Sequence, residues 1–338
     1  MARKRGKRSI ISIGEELGLS PATVSRVINN RTGVSEEKRR LVLQKLREYD
    51  FKVNYPSQRK PRIAIVSASS WFTHYHTEVL GGIFRSMQDH DLTPCTIIYE
   101  SRGKETLLSL LRDQQCSGVI LIIPANFKRE LPELSASGLP VMLVDESTEI
   151  ENVGFIDNDS YSGPLSAVRH LLSLGHREIA YFYTGNPTLN HEQRILAYEA
   201  ALKEAGLACP PRIHGDRDPA RNLPLVKRYL QEHPEVTAVM TTNDDLALLV
   251  LKAAEELGIR VPDELSVVGF DDYPMSAYLC PSLTTVFHPS REAGIRAAES
   301  IAGYLESNGK IALKREVLPT ELRIRSSTGR VKNIRKIF

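Results

Sequence analysis

The stretch Leu17-Gly18-Leu19-Ser20-Pro21-Ala22-Thr23-Val24-Ser25-Arg26-Val27-Ile28-Asn29-Asn30 reads as the turn and second helix of a helix-turn-helix. Gly18 can take the left-handed conformation that ends one helix in a tight turn. Ser20 is a fresh N-cap, and Pro21 suits the first helical position, where its missing N–H costs nothing. The helix predicted over 21–29 buries Val24, Val27 and Ile28. Its other face carries Thr23, Ser25, Arg26 and Asn29, side chains suited to phosphate or base-edge contacts. Upstream, Ser9 can cap a short helix over 10–17 with Ile10, Ile13 and Leu17 on one apolar stripe. Downstream, Ser35 with Lys38 starts a third helix, in which Val42, Leu43 and Leu46 close a three-helix core. Two helices joined by a Gly-containing turn, the second opening with small residues, is a geometry that enters a major groove.

Charge separates this head from the rest. Residues 1–62 hold 16 Lys and Arg against 6 Asp and Glu, while the remainder holds 28 against 35. A basic end on an acidic body is the electrostatic footprint of a nucleic-acid-binding head; a solvated basic tail would show the same balance. At 338 residues and 41% hydrophobic content the chain can build two or three cores. It contains no apolar run of about 18 residues and no apolar segment after the basic N-terminus, so neither a membrane helix nor a secretory signal is expected. Cys95, Cys116, Cys209 and Cys280 are far apart in sequence, with no metal or disulfide spacing, which suits a reducing cytoplasm.

From Pro61 the pattern becomes apolar strands alternating with amphipathic helices. Strands are predicted at 63–67, 95–99, 118–122 and 141–144, then 178–183, 238–241 and 266–269. Helices are predicted near 77–90, 104–115 and 128–136, then 160–173, 191–205, 219–232 and 244–257. The fold class is therefore α/β, with parallel sheets and right-handed crossovers. Polar residues just after these strands would face a cleft ligand.

Leu17 to Asn30, followed by Val34-Ser35-Glu36-Glu37-Lys38-Arg39, resembles the head of the lac-repressor (LacI/GalR) family of transcriptional regulators. The resemblance continues through Leu174-Gly175-His176-Arg177, Asn243-Asp244, Val267-Val268-Gly269-Phe270-Asp271-Asp272 and Pro281-Ser282-Leu283-Thr284-Thr285 to Arg323-Ile324-Arg325-Ser326-Ser327-Thr328. It implies a two-lobed body similar to a periplasmic sugar-binding protein, its lobes joined by three crossing strands. The implied boundaries are a head over 1–50, a short linker over 51–61 and a body over 62–329, followed by a basic tail over 330–338. Lobe one takes about 62–158 and 290–317, and lobe two about 159–289 and 318–329.

In the family, the two residues after the Ser cap and the later Arg read bases; here they are Pro21, Ala22 and Arg26. Arg26 can bond a guanine edge or simply a phosphate, whereas Pro21 and Ala22 can read only shape or a thymine methyl. The linker departs from the family pattern. Phe51-Lys52-Val53-Asn54 matches its first part, but no Ala-Arg-x-Leu hinge follows, and Pro56 and Pro61 favour an extended path. Arg59, Lys60 and Arg62 can follow phosphates or serve as a solvated tether.

The resemblance also places Trp71, Tyr75, His76, Asp145, Asp157, Arg194, Asn243, Asp271 and His288 at or beside an effector pocket. Carboxylates and an Arg can bond vicinal hydroxyls or a base edge. Trp71 and Tyr75 can stack on an apolar ring face or serve in packing, and Asp272 reads as a helix cap or interlobe contact. These readings make the chain a cytoplasmic, homodimeric DNA-binding regulator, expected to be a repressor controlled by a sugar-like small molecule. A regulator with no small-molecule effector, or with a protein corepressor, is the alternative. No Gly-rich phosphate loop, Gly-x-Ser-x-Gly elbow or His-Glu-x-x-His occurs, so neither catalysis, cofactor nor metal is expected. With the short linker, coupling by rigid positioning of the heads is expected in place of hinge-helix folding.

Overall fold

The structure is a computed structural model, and it describes residues 10–28, 33–48, 60–68, 73–100, 106–184, 188–210, 212–216 and 218–331. Asn29, Arg59 and Trp71 lie outside the described residues, as do Ser9 and linker positions 51–59. The chain divides into two compact units, Met1–Lys60 and Pro61–Phe338.

In the first unit, α1 (Ile10–Leu17), α2 (Pro21–Ile28) and α3 (Glu36–Glu48) enclose Ile13, Val24, Val27, Val42 and Leu46. Gly18 ends α1 with φ +63°, and the N–H groups of Gly18 and Leu19 bond back to Glu15 (3.3 Å) and Gly14 (2.8 Å). That pairing satisfies the last carbonyls of α1 and turns the chain into α2. A methyl on Gly14 would lie 2.7 Å from the Leu19 carbonyl oxygen, so the turn also needs Gly14 bare.

The second unit runs β1 (Arg62–Ser67), α4 (His74–Asp89), β2 (Thr93–Ile98), α5 (Leu107–Asp113), β3 (Gly118–Ile122), α6 (Leu131–Ala136), β4 (Val141–Val144) and β5 (Val153–Asn158). It continues with α7 (Ser162–Ser173), β6 (Ile179–Thr184), α8 (Leu189–Glu204), β7 (Ile213–Gly215), α9 (Pro219–Glu232), β8 (Ala238–Thr241), α10 (Asp244–Glu256) and β9 (Ser266–Asp271). β10 (Thr284–Phe287), α11 (Ser290–Glu306), β11 (Arg315–Leu318) and β12 (Glu321–Arg323) complete it. One sheet has the order β11-β5-β4-β3-β1-β2 and the other β12-β10-β9-β8-β6-β7. Pairing is parallel except between β10 and β12. The chain passes between sheets after β5, after β10 and after β11, which makes two lobes with three crossings.

Strand alternation explains why both faces of each sheet are covered. Ile63 and Ile65 pack with α4 and α11, while Ala64 and Val66 pack with α5 and its neighbours. In the other lobe, Ala180 and Phe182 face α9 and α10, and Ile179 and Tyr181 face α7 and α8. The predicted strands appear, and β5, β7, β10, β11, β12 and helix α11 are further elements that the sequence reading does not predict. β11 and β12 are three or four residues long and largely exposed, so they lack an apolar run. Helix α4 begins at His74, earlier than the expected 77, because its start is set by a cap and not by apolar periodicity. Arg62, expected near phosphates or in a tether, opens β1 and bonds the Gln114 carbonyl at 3.1 Å.

Two landmarks distant in sequence meet in space. His176 reaches Thr237 Oγ1 (2.9 Å) and the Gly329 carbonyl (3.0 Å), and Ser327 Oγ donates to the Val267 carbonyl (2.6 Å). They tie the segment after β12 to lobe two.

Helices α4 and α11 approach through glycine. A Cβ on Gly82 would fall 2.0 Å from the Arg291 carbonyl oxygen, and one on Gly294 would fall 2.2 Å from that of Val79. Gly303, on the same α11, has nothing within 4 Å of its Cβ position. We expect Gly294→Ala to cost about 1–3 kcal/mol through overpacking. Gly303→Ala should instead stabilise by up to roughly 1 kcal/mol through helix propensity. Urea unfolding of the two variants, read as midpoint shifts of opposite sign, checks this.

Candidate functional site

Two sites follow from the two units. In the head, Ser20 Oγ accepts the Thr23 N–H at 3.1 Å and lies 2.9 Å from Thr23 Oγ1, so both side chains set the start of α2. Pro21, Ala22 and Arg26 are exposed, and Thr23 and Ser25 half-buried. Burial of Val24 and Val27 turns Pro21, Ala22 and Arg26 outward together. Lys60 is exposed at the end of the same unit.

In the body, most of the expected pocket residues converge where the lobes join. Asp145 follows β4 at φ 74°, and Asp271 ends β9 at φ 111°. Left-handed backbone at a non-glycine residue costs on the order of 1–3 kcal/mol and must be held by its surroundings. For Asp271 the holder is Asp244, at the start of α10. Its carboxylate accepts from Thr285 Oγ1 (2.6 Å), Ser276 Oγ (2.6 Å) and the Tyr273 N–H (2.9 Å). Gly269 must lack a side chain to admit it, since a Cβ there would fall 2.1 Å from Asp244 Oδ1. Asp244 is therefore the internal anchor of the turn that carries Asp271, a role its place beside Asn243 in a sequence motif did not announce.

His288 sits on the crossing between β10 and α11. Its Nε2 is 3.5 Å from Asp145 Oδ1, and its Nδ1 is 3.5 Å from Asp271 Oδ1 and 3.1 Å from Ser290 Oγ. Tyr75 lies parallel to the imidazole with ring centres 5.5 Å apart, and its buried hydroxyl has no hydrogen-bond partner among the described residues. Arg194, 4% exposed, places its guanidinium 3.5 Å over the Phe270 ring and donates from Nη1 to the Thr242 carbonyl at 2.7 Å. Its buried Nε has no partner among the described residues. Asp157, on β5, accepts the Asn158 N–H at 2.8 Å.

Desolvation dominates the charge states. Burial, reinforced by Asp157 and Asp271, pushes Asp145 up to about 6 against the pull of His288 and Arg194. Burial pushes Asp271 up to about 7, with Arg194 opposing. Asp244 is likewise raised to about 7, by burial and by Asp271. Burial lowers His288 to about 4, so near neutral pH the imidazole is uncharged and has one N–H to share between two carboxylates.

Two expected pocket residues, His76 and Asn243, serve as helix caps, and Asp272 takes neither of its expected roles. His76 turns into the cap of α4, its Nδ1 3.0 Å from Thr73 Oγ1 and 3.4 Å from the Thr73 N–H. Asn243 caps α10, its Oδ1 accepting the Leu246 N–H at 3.0 Å. Asp272 pairs with Arg325 at 2.6 Å inside lobe two; it neither caps a helix nor crosses between lobes. Conversely, sequence reading passed over Asn158, Asn190, Asp244 and Phe270, all of which position the cluster. Beside it opens a cavity of about 350 Å³. Tyr75, Asp271 and His288 share its walls with His74, Tyr273 and Arg291. No described helix is long and apolar enough to cross a membrane.

With this geometry in place, comparison with known proteins is informative. Residues 11–54 match the model of bacterial regulatory proteins of the lacI family, and residues 168–328 match a periplasmic binding protein-like domain. The HTH-type transcriptional regulator DegA of Bacillus subtilis is 28% identical over 337 residues, covering 95% of this chain and 98% of its own. A lac repressor dimer bound to operator and an anti-inducer superposes with a TM-score of 0.75 at 23% identity, over 96% of this chain and 100% of that one. The complex of the transcriptional regulator CelR with cellobiose gives 0.69 at 23% identity, over 95% and 100%. The chain belongs to the lacI family of bacterial regulatory proteins and is a DNA-binding transcriptional regulator.

Proposed function

We propose that this regulator is a cytoplasmic homodimeric repressor whose operator affinity is controlled by a sugar or related polyol held at the lobe junction. The observation that carries the effector reading is Arg194. A buried guanidinium with an unpartnered Nε, opposite Asp145, Asp157 and Asp271, is costly unless a ligand satisfies it. Three carboxyl groups, of which Asp145 and Asp271 hold protons more readily than usual, one Arg donor and a neutral imidazole suit a ligand with several hydroxyls, each able to donate and accept. Tyr75 offers an aromatic face and an unused hydroxyl at the same place. The lac repressor and CelR comparisons, with an anti-inducer and cellobiose bound, support a small-molecule ligand for a body of this fold.

In the head, Ser20, Pro21, Ala22, Thr23, Ser25 and Arg26 are the proposed DNA-facing residues, with Asn29, Arg59 and Lys60 beyond or beside them. Arg26 is the base reader, because neither Pro21 nor Ala22 has a polar side chain to offer. The chain acts without catalysis or cofactor: an effector that binds one arrangement of the lobes better than another shifts operator occupancy.

Calorimetric titration against mono- and disaccharides tests the effector reading. One or more should bind, and Arg194→Ala should weaken that sugar by about tenfold or more, the scale of a charged hydrogen bond. If no sugar binds, regulation without a small molecule, or through a protein corepressor, takes its place. Arg26→Ala should lower discrimination between operator and a guanine-substituted operator by roughly 1–3 kcal/mol while sugar binding stays unchanged; retained discrimination in electrophoretic shifts would remove Arg26 as reader.

The raised Asp271 also predicts a pH effect. Its folded-state value, about 7, exceeds the ordinary 3.8, so ionisation costs folding energy. Relative to Asp271→Asn, the native protein should lose stability as pH rises from about 4 to about 7 and level off above. Paired denaturation curves across that range measure the difference.

A further inference from the structure

Asn190, in the first turn of α8, reaches across the lobe junction. Its amide nitrogen lies 2.7 Å from the main-chain oxygen of Asp145, 3.2 Å from Asp145 Oδ1 and 3.0 Å from Asp157 Oδ1. Two hydrogens serve three acceptors, so the contacts are shared, and the residue is 6% exposed. Lobe one arranges the acceptors itself: the Asn158 side chain donates to Asp145 and its main-chain N–H to Asp157, while Ser160 Oγ, just past β5, donates to Asn158 Oδ1 at 2.7 Å. Helix α8 has no need of Asn190. Its cap is Thr188, which accepts the His191 N–H at 3.3 Å, and asparagine is a weak helix former.

We propose that Asn190 is a positioning residue, an interlobe latch that holds the two lobes together in the absence of effector. It supplies lobe two's neutral donor to an acceptor set that lobe one has already ordered. Asp145 and Asp157 would otherwise face the junction as neighbouring carboxylates with only Arg194 and the neutral His288 to oppose them. Because the latch is neutral, it closes the junction without adding charge, and its contacts can be exchanged for other hydroxyl or amide donors. This goes beyond the effector reading and depends on it only in that exchange; the latch itself concerns the effector-free protein.

Hydrogen–deuterium exchange of the full chain, without added sugar, tests it in Asn190→Ala and Asn190→Asp. Removing a net one or two hydrogen bonds should accelerate opening roughly tenfold. The faster exchange should be confined to the junction segments, 142–158 and 188–194, with the α4–α11 pair unchanged. Asn190→Asp should open the junction further, since it adds a carboxylate beside two others. An aspartate in the first turn favours the helix itself, so loss of α8 cannot mimic that result. Unchanged exchange at both segments, faster exchange spread uniformly through lobe two, or a smaller effect from Asp than from Ala would overturn the proposal. Since no sugar enters the experiment, failure of the effector reading leaves its outcome readable.

Discussion

Carboxylates and a guanidinium from both lobes share one desolvated junction, and the rest of the body is arranged around that constraint. Asp145 and Asp157 come from lobe one, Arg194 and Asp271 from lobe two, and His288 from the segment that crosses between them. Removing charges from water is expensive unless partners are near. Here one cation and one neutral imidazole face three acids, and burial shifts the protonation of Asp145, Asp271 and His288 accordingly. The balance changes whenever the lobes part, because water then returns to the carboxylates. Lobe geometry and ligand chemistry are therefore linked by electrostatics.

The surrounding frame keeps that junction in place. Asp244 anchors the turn bearing Asp271, and Gly269 leaves space for it. The crossings are packed equally tightly: Thr320 Oγ1 donates to the Asp159 carbonyl at 2.7 Å, and a Cβ on Gly163 would fall 2.4 Å from Thr320 Oγ1. Close backbone approach of α4 and α11 fixes the platform on which Tyr75 meets His288. Such contacts are bistable and not softly deformable, which is how small changes at a ligand become rearrangements of whole elements.

Much of this was legible in the residues. The helix-turn-helix was clear because its signals are local: Gly18, Ser20 and Pro21 act through neighbouring backbone, and Val24 and Val27 through helical spacing. The central strands β1, β3, β4, β6, β8 and β9 were legible because each is a short apolar run buried on both faces, whereas the interior strands β5 and β10 mix polar residues into theirs. β11 and β12 were not, since they are held by pairing with distant strands and show no pattern of their own. In the site, Tyr75, Asp145, Asp157, Arg194, Asp271 and His288 were named in advance from a family pattern and do converge. His76 and Asn243 were named on the same basis but serve as helix caps, because a cap and a ligand contact use the same polar residue types. Asn190 and Asp244 were passed over since their importance lies in partners 32 to 45 residues away, in Asp157, Asp145, Ser276 and Thr285.

Sequence alone determined the class of molecule: a basic three-helix head, an α/β body of parallel sheets, and the stock of polar groups available at strand ends. Those properties follow from short-range periodicity, capping chemistry and charge, which act over a few residues. Tertiary structure alone decided which polar groups oppose one another and which merely finish a helix. It also set the charge each one carries, because hydrogen-bond partnership and desolvation depend on groups brought together from distant parts of the chain.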